Sequence, residues 1–166
     1  MDHAREIIVV GVDGGPEGDA ALRFARGEAE RTGDSIEVIT VWGPEPIPVA
    51  PYIPFGELLT PEGLHLAAQE RQDAALARVF GNPPAITVSA RVLRGDAKVL
   101  LVEAARHARL LVVGSRPMGP VRAVLLGSVS RYCAHHAVCP VVVVPVAEPA
   151  ENQPSSAGEL DLVGPA

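Results

Sequence analysis

The chain has 166 residues and a mass of 17.3 kDa, the length of one domain. Lys+Arg 14 against Asp+Glu 20 gives a formal net charge of −6, which disfavours duplex DNA or an anionic membrane as partner, since both are held through broad basic faces. Hydrophobic residues at 48% suit a folded globule, aromatics at 4% leave the core to Val, Leu, Ile and Ala, and the single lysine, Lys98, excludes a Lys-dependent phosphate loop or Schiff base anywhere else.

The polar start Met1-Asp2-His3-Ala4-Arg5-Glu6 does not have the pattern of a signal peptide, and the longest apolar runs, 110–113 and 141–144, have the length of buried strands rather than of a membrane span. Two cysteines make no disulfide framework. The expectation is a soluble cytoplasmic domain with no nucleic-acid and no membrane partner.

In chain order, the β-branched run 7–12 ends at Asp13-Gly14-Gly15-Pro16, which reads as a strand followed by a loop. A helix is predicted over 19–31, with Ala21, Phe24, Ala25 and Ala29 on its apolar side, stopped by Thr32-Gly33-Asp34. A second strand follows over 36–42. The segment 43–62 contains six prolines, too many for regular helix or a central strand, and reads as a long functional loop. A helix over 62–80 is predicted to face inward with Leu64, Ala68, Ala75, Leu76 and Val79, and Gly81-Asn82-Pro83-Pro84 ends it. The third strand is predicted over 86–93. Gly95-Asp96 then offers a capping carboxylate for a helix whose buried stripe is Leu100, Leu101, Ala104, Ala105 and Ala108. The apolar run 110–114 is a fourth strand, Gly127-Ser128 opens a last helix to His136, and 141–146 is a fifth strand. The last nineteen residues hold four acids and neither bases nor aromatics. They are expected to form an acidic disordered tail, 148–166, beyond a domain of residues 1–147.

Alternating strands and helices predict an α/β three-layer sandwich with a parallel sheet. Two loops stand out, each just past the carboxyl end of a strand: Gly11-Val12-Asp13-Gly14-Gly15, and Gly114-Ser115-Arg116-Pro117-Met118-Gly119 with Gly127-Ser128-Val129-Ser130 beyond it. With strand order 3-2-1-4-5 they would wall the crevice in which open parallel sheets bind ligands. Glycines let backbone approach a phosphate, the helix start near Ser128 presents free N–H groups, and Ser128 and Ser130 add hydroxyls. Arg116, Arg122 and Arg131 add positive charge nearby, and Asp13 is placed to accept from a ribose hydroxyl. On residue types alone, Asp13 as a turn residue and Ser128 as a helix cap remain the competing reading.

The run Gly114-Ser115-Arg116 … Leu125-Leu126-Gly127-Ser128-Val129-Ser130 … His135-His136-Ala137 … Cys139-Pro140-Val141 resembles the C-terminal signature of the universal stress proteins. Val10-Gly11-Val12-Asp13-Gly14 and Arg94-Gly95-Asp96 are similar to their first strand and to the entry of their third helix, so that the resemblance covers residues 5–146. It implies a Rossmann-like fold (adenine nucleotide alpha hydrolase-like), a five-stranded parallel sheet with four main helices, and a homodimer. Many members bind ATP through Gly-x2-Gly-x9-Gly-Ser/Thr; here Gly114 and Gly127-Ser128 match, and Pro117 stands at the middle glycine. Proline offers no N–H and fixes φ, so the substitution bears on binding. The resemblance implies base and ribose contacts at Gly11, Asp13, Val41 and Val113, and phosphate contacts at Gly114, Gly127, Ser128, Val129 and Ser130. With Val12, Gly14, Arg116 and Gly119 from the two loops, these are the candidate cofactor-binding residues, and ATP, alone or with Mg2+, is the expected ligand.

Cys133, His135, His136 and Cys139 lie within seven residues. They read as a buried thiol and a helix-end His pair rather than a zinc site, whose cysteines are usually closer in sequence. His65 and His107 read as solvated. No Gly-x-Ser-x-Gly, Gly-Lys-Ser/Thr or His-Glu-x-x-His pattern occurs, so no catalytic residue is assigned. The expected function is a stress protein that binds adenine nucleotide as a regulatory switch, without fast turnover. Its rivals are a dimeric scaffold that binds no nucleotide, favoured by Pro117, and a slow ATPase. Strand 141–146, apolar and at the sheet edge, is expected to pair antiparallel with its counterpart in a second chain.

Overall fold

Each of the predicted β-branched runs pairs on both sides or lies at an edge of one sheet. The computed structural model describes residues 6–43, 60–81, 84–115 and 126–146. In chain order the elements are β1 (Ile7–Gly11), α1 (Pro16–Thr32), β2 (Ser35–Trp42), α2 (Pro61–Phe80), β3 (Val88–Arg94), α3 (Ala97–Ala104) with a 3₁₀ turn at Ala105–His107, β4 (Leu110–Ser115), α4 (Ser128–His136) and β5 (Val141–Pro145). The five strands form one parallel sheet in the order β3-β2-β1-β4-β5, as the sequence predicts. The sequence reading carries the first strand on to Val12, and although β1 ends at Gly11, the Val12 N–H still donates to the Ile39 carbonyl at 2.9 Å.

Period-two alternation splits the strands between two cores. Ile8, Val10, Ile36, Val38, Leu110 and Val112 pack under α1 and α2. Val9, Ile39, Leu111 and Val113 pack with Leu101, Ala105 and Cys133 from the other face. No aromatic ring is among the buried core residues described.

Caps set the helix starts. Pro16 takes the first position of α1, where its missing N–H costs nothing, and the Gly33 N–H closes the other end on Ala29 O at 2.8 Å. Thr60 Oγ1 accepts from Gly63 N at 3.1 Å to begin α2. Asp96 Oδ1 accepts from Lys98 N at 2.9 Å to begin α3, the cap expected from Gly95-Asp96.

One side chain departs from its expected face, and two polar ones on the helices are buried. Phe24 is 40% exposed; the buried stripe of α1 is Ala21, Leu22, Ala25 and Ala29, and Leu22 fills the place expected for the ring. Gln72 is buried at the centre of the α2 stripe, where its Nε2 donates to Thr40 Oγ1 at 3.1 Å and Arg91 O at 2.9 Å. Asp19 is also buried and takes a two-pronged ion pair from Arg78, at 2.8 and 2.9 Å, which ties α1 to α2.

No helix among the described residues is long and apolar enough to cross a membrane. The predicted tail 148–166 and most of the proline-rich segment lie outside the described residues.

Candidate functional site

Where β1 and β4 lie side by side, the strand order reverses, and the chain leaves the two strands in different directions. The opening left at their carboxyl ends is a crevice of about 490 Å³. It is lined by Gly11, Val12 and Asp13 after β1, Glu17 and Gly18 of α1, Ile39 and Val41 of β2, and Ala97 and Leu101 of α3. Val113 and Gly114 of β4 and Gly127, Ser128, Val129 and Ser130 at the start of α4 complete the lining. Ten of the sequence candidates therefore converge: Gly11, Val12, Asp13, Val41, Val113, Gly114, Gly127, Ser128, Val129 and Ser130.

Gly14 is not part of the lining. Its φ of +88° makes the turn out of β1, and a Cβ there would stand 2.9 Å from Arg71 Cβ, so glycine is demanded by the turn and by α2. Arg131 is exposed on α4 and does not line the crevice. Arg116, Gly119 and Pro117 lie outside the described residues, as does Arg122.

The α4 end supplies the main donor set. Gly127 caps the helix, and the first bond within it runs from Arg131 N to Gly127 O at 3.0 Å. The N–H groups of Ser128, Val129 and Ser130 thus have no acceptor inside the helix, and the positive end of its dipole faces the crevice they line. Ser130 is buried and its hydroxyl donates to Gly127 O at 3.2 Å, so the hydroxyl proton serves the helix start. Ser128 is exposed, and its hydroxyl has no hydrogen-bond partner among the described residues.

Asp13 Oδ1 accepts from Gly15 N at 3.0 Å, which fixes the β1–α1 turn and holds the carboxylate at the crevice rim. Ile39, Val41, Leu101 and Val113 give the crevice an apolar side. Glu17, Gly18, Ile39, Ala97 and Leu101 were not among the sequence candidates. An acid in the first turn of a helix is ordinary, and the apolar ones look like any core residue, so only the fold identifies them.

The Cys/His segment is dispersed. Cys133 is buried in the core, and burial pushes its thiol up to about 11. His136 stacks on Tyr132 with ring centroids 3.9 Å apart, and its Nδ1 donates to Tyr132 O at 2.9 Å. Among the described residues, no group of three or more His, Cys, Asp or Glu side chains gathers to hold a metal ion.

A parallel sheet in this order, with helices on both faces and a crevice at its reversal point, defines a Rossmann-like α/β protein. The sequence profile of the universal stress protein family matches residues 4–145, and the chain belongs to that family. A universal stress protein of Mycolicibacterium smegmatis is 34% identical over 139 residues, covering 82% of this chain and 47% of that protein. The chain spans about half the length of the curated relatives it matches. Among solved structures, a universal stress protein in complex with cAMP is 25% identical with a TM-score of 0.54, covering 86% of this chain and 98% of that one. The Archaeoglobus fulgidus universal stress protein in complex with dAMP is 21% identical with a TM-score of 0.59, covering 85% and 98%, a likeness of fold.

Proposed function

We propose that the chain binds an adenine nucleotide, ATP or a relative of it, in the crevice between β1 and β4, as a regulatory ligand in a stress response. The observation that carries this reading is the start of α4: three backbone N–H groups without helical acceptors line the same crevice as an apolar side built by Ile39, Val41 and Leu101. A phosphate suits the first and a purine ring the second. The cAMP and dAMP named for two solved family structures agree with that class of ligand.

The residues fit the group. Ser128, Val129 and Ser130 N–H would hold a phosphate, Gly114 keeps the strand end bare of side chain beside it, and Asp13 would accept from a ribose hydroxyl. Among the described lining residues the titratable side chains are Asp13 and Glu17, both acids. That lining offers binding and orientation, and we read the site as a switch rather than a fast ATPase. A bound nucleotide shifts the protein only through different affinity for two states, and the loops that flank the crevice are the elements placed to differ. We place this protein in the cytoplasm and infer that it works as a homodimer through β5.

Isothermal titration with ATP, ADP, AMP and cyclic AMP, with and without magnesium, tests the reading. The lone tryptophan, Trp42, adjoins Val41 in β2 and gives an independent fluorescence signal. Saturable binding that weakens in Gly127→Val supports it. No heat and no fluorescence change at millimolar nucleotide would reject it in favour of a scaffold acting through protein contacts, the alternative that Pro117 favours. Restoring Pro117→Gly separates the two, since binding seen only in that variant makes the native chain the scaffold.

A further inference from the structure

We propose that Leu101 sets the size of the base this crevice accepts: seated on the bare backbone of Gly11, it closes the floor of the apolar side and turns away a purine that carries an added apolar substituent there. The inference rests on the nucleotide reading of the site and names the residue that selects within that class.

Three neighbouring strands each give one residue to a row across the sheet. Gly11 of β1 lies in register with Ile39 of β2 on one side and with Val113 of β4 on the other, and all three line the crevice. By the two-residue period of a strand they face the same way as Val9 and Leu111, in the core that also holds Leu101. Glycine leaves a dip in the middle of the row. Leu101 of α3 fills it, with Cδ1 2.8 Å and Cδ2 3.1 Å from the point a Gly11 Cβ would occupy, and Val113 Cγ1 lies 3.4 Å from the same point. Leu101 is 4% exposed and lines the crevice as well. It thus belongs to the core and borders the crevice at once, so its side chain marks where packed protein ends and ligand space begins. Ala97, one turn earlier on the same face of α3, also lines the crevice, and its single methyl leaves room where Leu101 does not.

A wall of this kind discriminates by volume, because packed side chains yield little. One methylene more or less in an apolar pocket changes discrimination about 10–200-fold. Truncating Leu101 leaves space over Gly11 that is continuous with the crevice, and an apolar hollow stays dry and accepts an apolar group. Gly11 lets the wall stand this close to the sheet, since any Cβ there would displace the Leu101 methyls.

The test is a set of titrations on the unchanged protein, Leu101→Ala and Leu101→Val. The ligands are ATP, AMP and cyclic AMP, then the N6-benzyl, C2-methylthio and C8-bromo derivatives of whichever binds best. The expected result is that the unchanged protein rejects at least one derivative about tenfold or more against its parent. Leu101→Ala lowers that ratio at least about fivefold, and Leu101→Val, the milder truncation, moves it about twofold or more in the same direction and carries the test where Leu101→Ala does not fold. A purely structural role for Leu101 would weaken parent and derivative together and leave the ratio alone. Derivatives that all bind the unchanged protein as tightly as the parent, or a ratio unmoved in the folded variants, overturn the assignment while leaving the nucleotide site standing. Absence of binding by every nucleotide to the unchanged protein and to each variant folded by circular dichroism removes both the site and its selectivity.

Discussion

Gly114 and Glu17 meet where β4 runs past the first turn of α1, and the two backbones are so close that no side chain fits between them. A Cβ on Gly114 would collide with the Glu17 carbonyl. The atoms in the way are backbone, which cannot rotate aside, so Gly114→Ala must push α1 off the sheet or bend the end of β4. Overpacking of this kind costs about 1–3 kcal/mol. Urea denaturation should show a lower midpoint for Gly114→Ala with an unchanged slope. Because the same glycine borders the crevice, nucleotide affinity should fall with it.

That contact shows how far the sequence could be read. The strands were legible because runs such as 110–114 and 141–146 are apolar on both faces, the mark of a sheet covered on both sides. The crevice was legible in outline, because glycines after β1 and β4 stand out against those runs. Gly114 could be picked as a phosphate neighbour, but its packing duty toward α1 could not, since it depends on where a helix a hundred residues earlier lands. Gln72 shows the same limit. Its spacing from Ala68, Ala75 and Val79 places it on the inner stripe, yet a polar residue is passed over until Thr40 and the Arg91 carbonyl are seen to satisfy it. Phe24 failed in the opposite sense, because hydrophobicity argued for burial where Leu22 already filled the space.

Asp34 gives a prediction for acid. It lies at the amino-terminal end of the sheet, 7% exposed, where burial pushes its carboxyl up. Hydrogen bonds from the Thr32 hydroxyl at 2.7 Å, Glu6 N–H at 3.1 Å and Arg109 Nε at 2.6 Å outweigh that burial and hold it below the ordinary value of 3.8. A carboxyl lowered by folding stabilises above its unfolded value and loses that contribution as pH falls through the folded one. Stability should therefore decline below about pH 4, the ordinary aspartate range, and Asp34→Asn should flatten that decline. At neutral pH the same variant should lose about 1–3 kcal/mol, because Arg109 keeps a weaker partner. Thermal midpoints measured from pH 2 to pH 7 on both proteins check the two claims together.

Cys133 gives a prediction for the alkaline side. Burial, opposed weakly by its own backbone and reinforced by Cys139, raises its thiol from the ordinary 9.0 to about 11, so the folded chain keeps a proton that the unfolded chain releases. Stability should fall as pH rises from 9 to 11, and Cys133→Ala should reduce that slope. A buried neutral thiol is also a poor nucleophile. At pH 8, iodoacetamide should leave Cys133 unmodified in the native protein and label it after unfolding, as mass spectrometry of the tryptic peptides would show. Fast labelling in the native state would contradict the burial.

Strand β5 pairs with β4 along one side, and no described strand covers its other side. The Leu111 N–H donates to Pro140 O at 3.0 Å, so in a parallel ladder the residues 140, 142 and 144 point their polar groups at β4 while those of Val143 point outward. The proposed homodimer would use this apolar edge, whose donor and acceptor at Val143 meet no described strand, with a second copy joined antiparallel across a two-fold axis. Light scattering at micromolar concentration should give twice the chain mass of 17.3 kDa. Val143→Pro removes the outward N–H without touching the bonds to β4, and proline is tolerated at sheet edges. This variant should keep its fold by circular dichroism and shift to the monomer mass; a dimer that persists unchanged would place the interface elsewhere on the molecule.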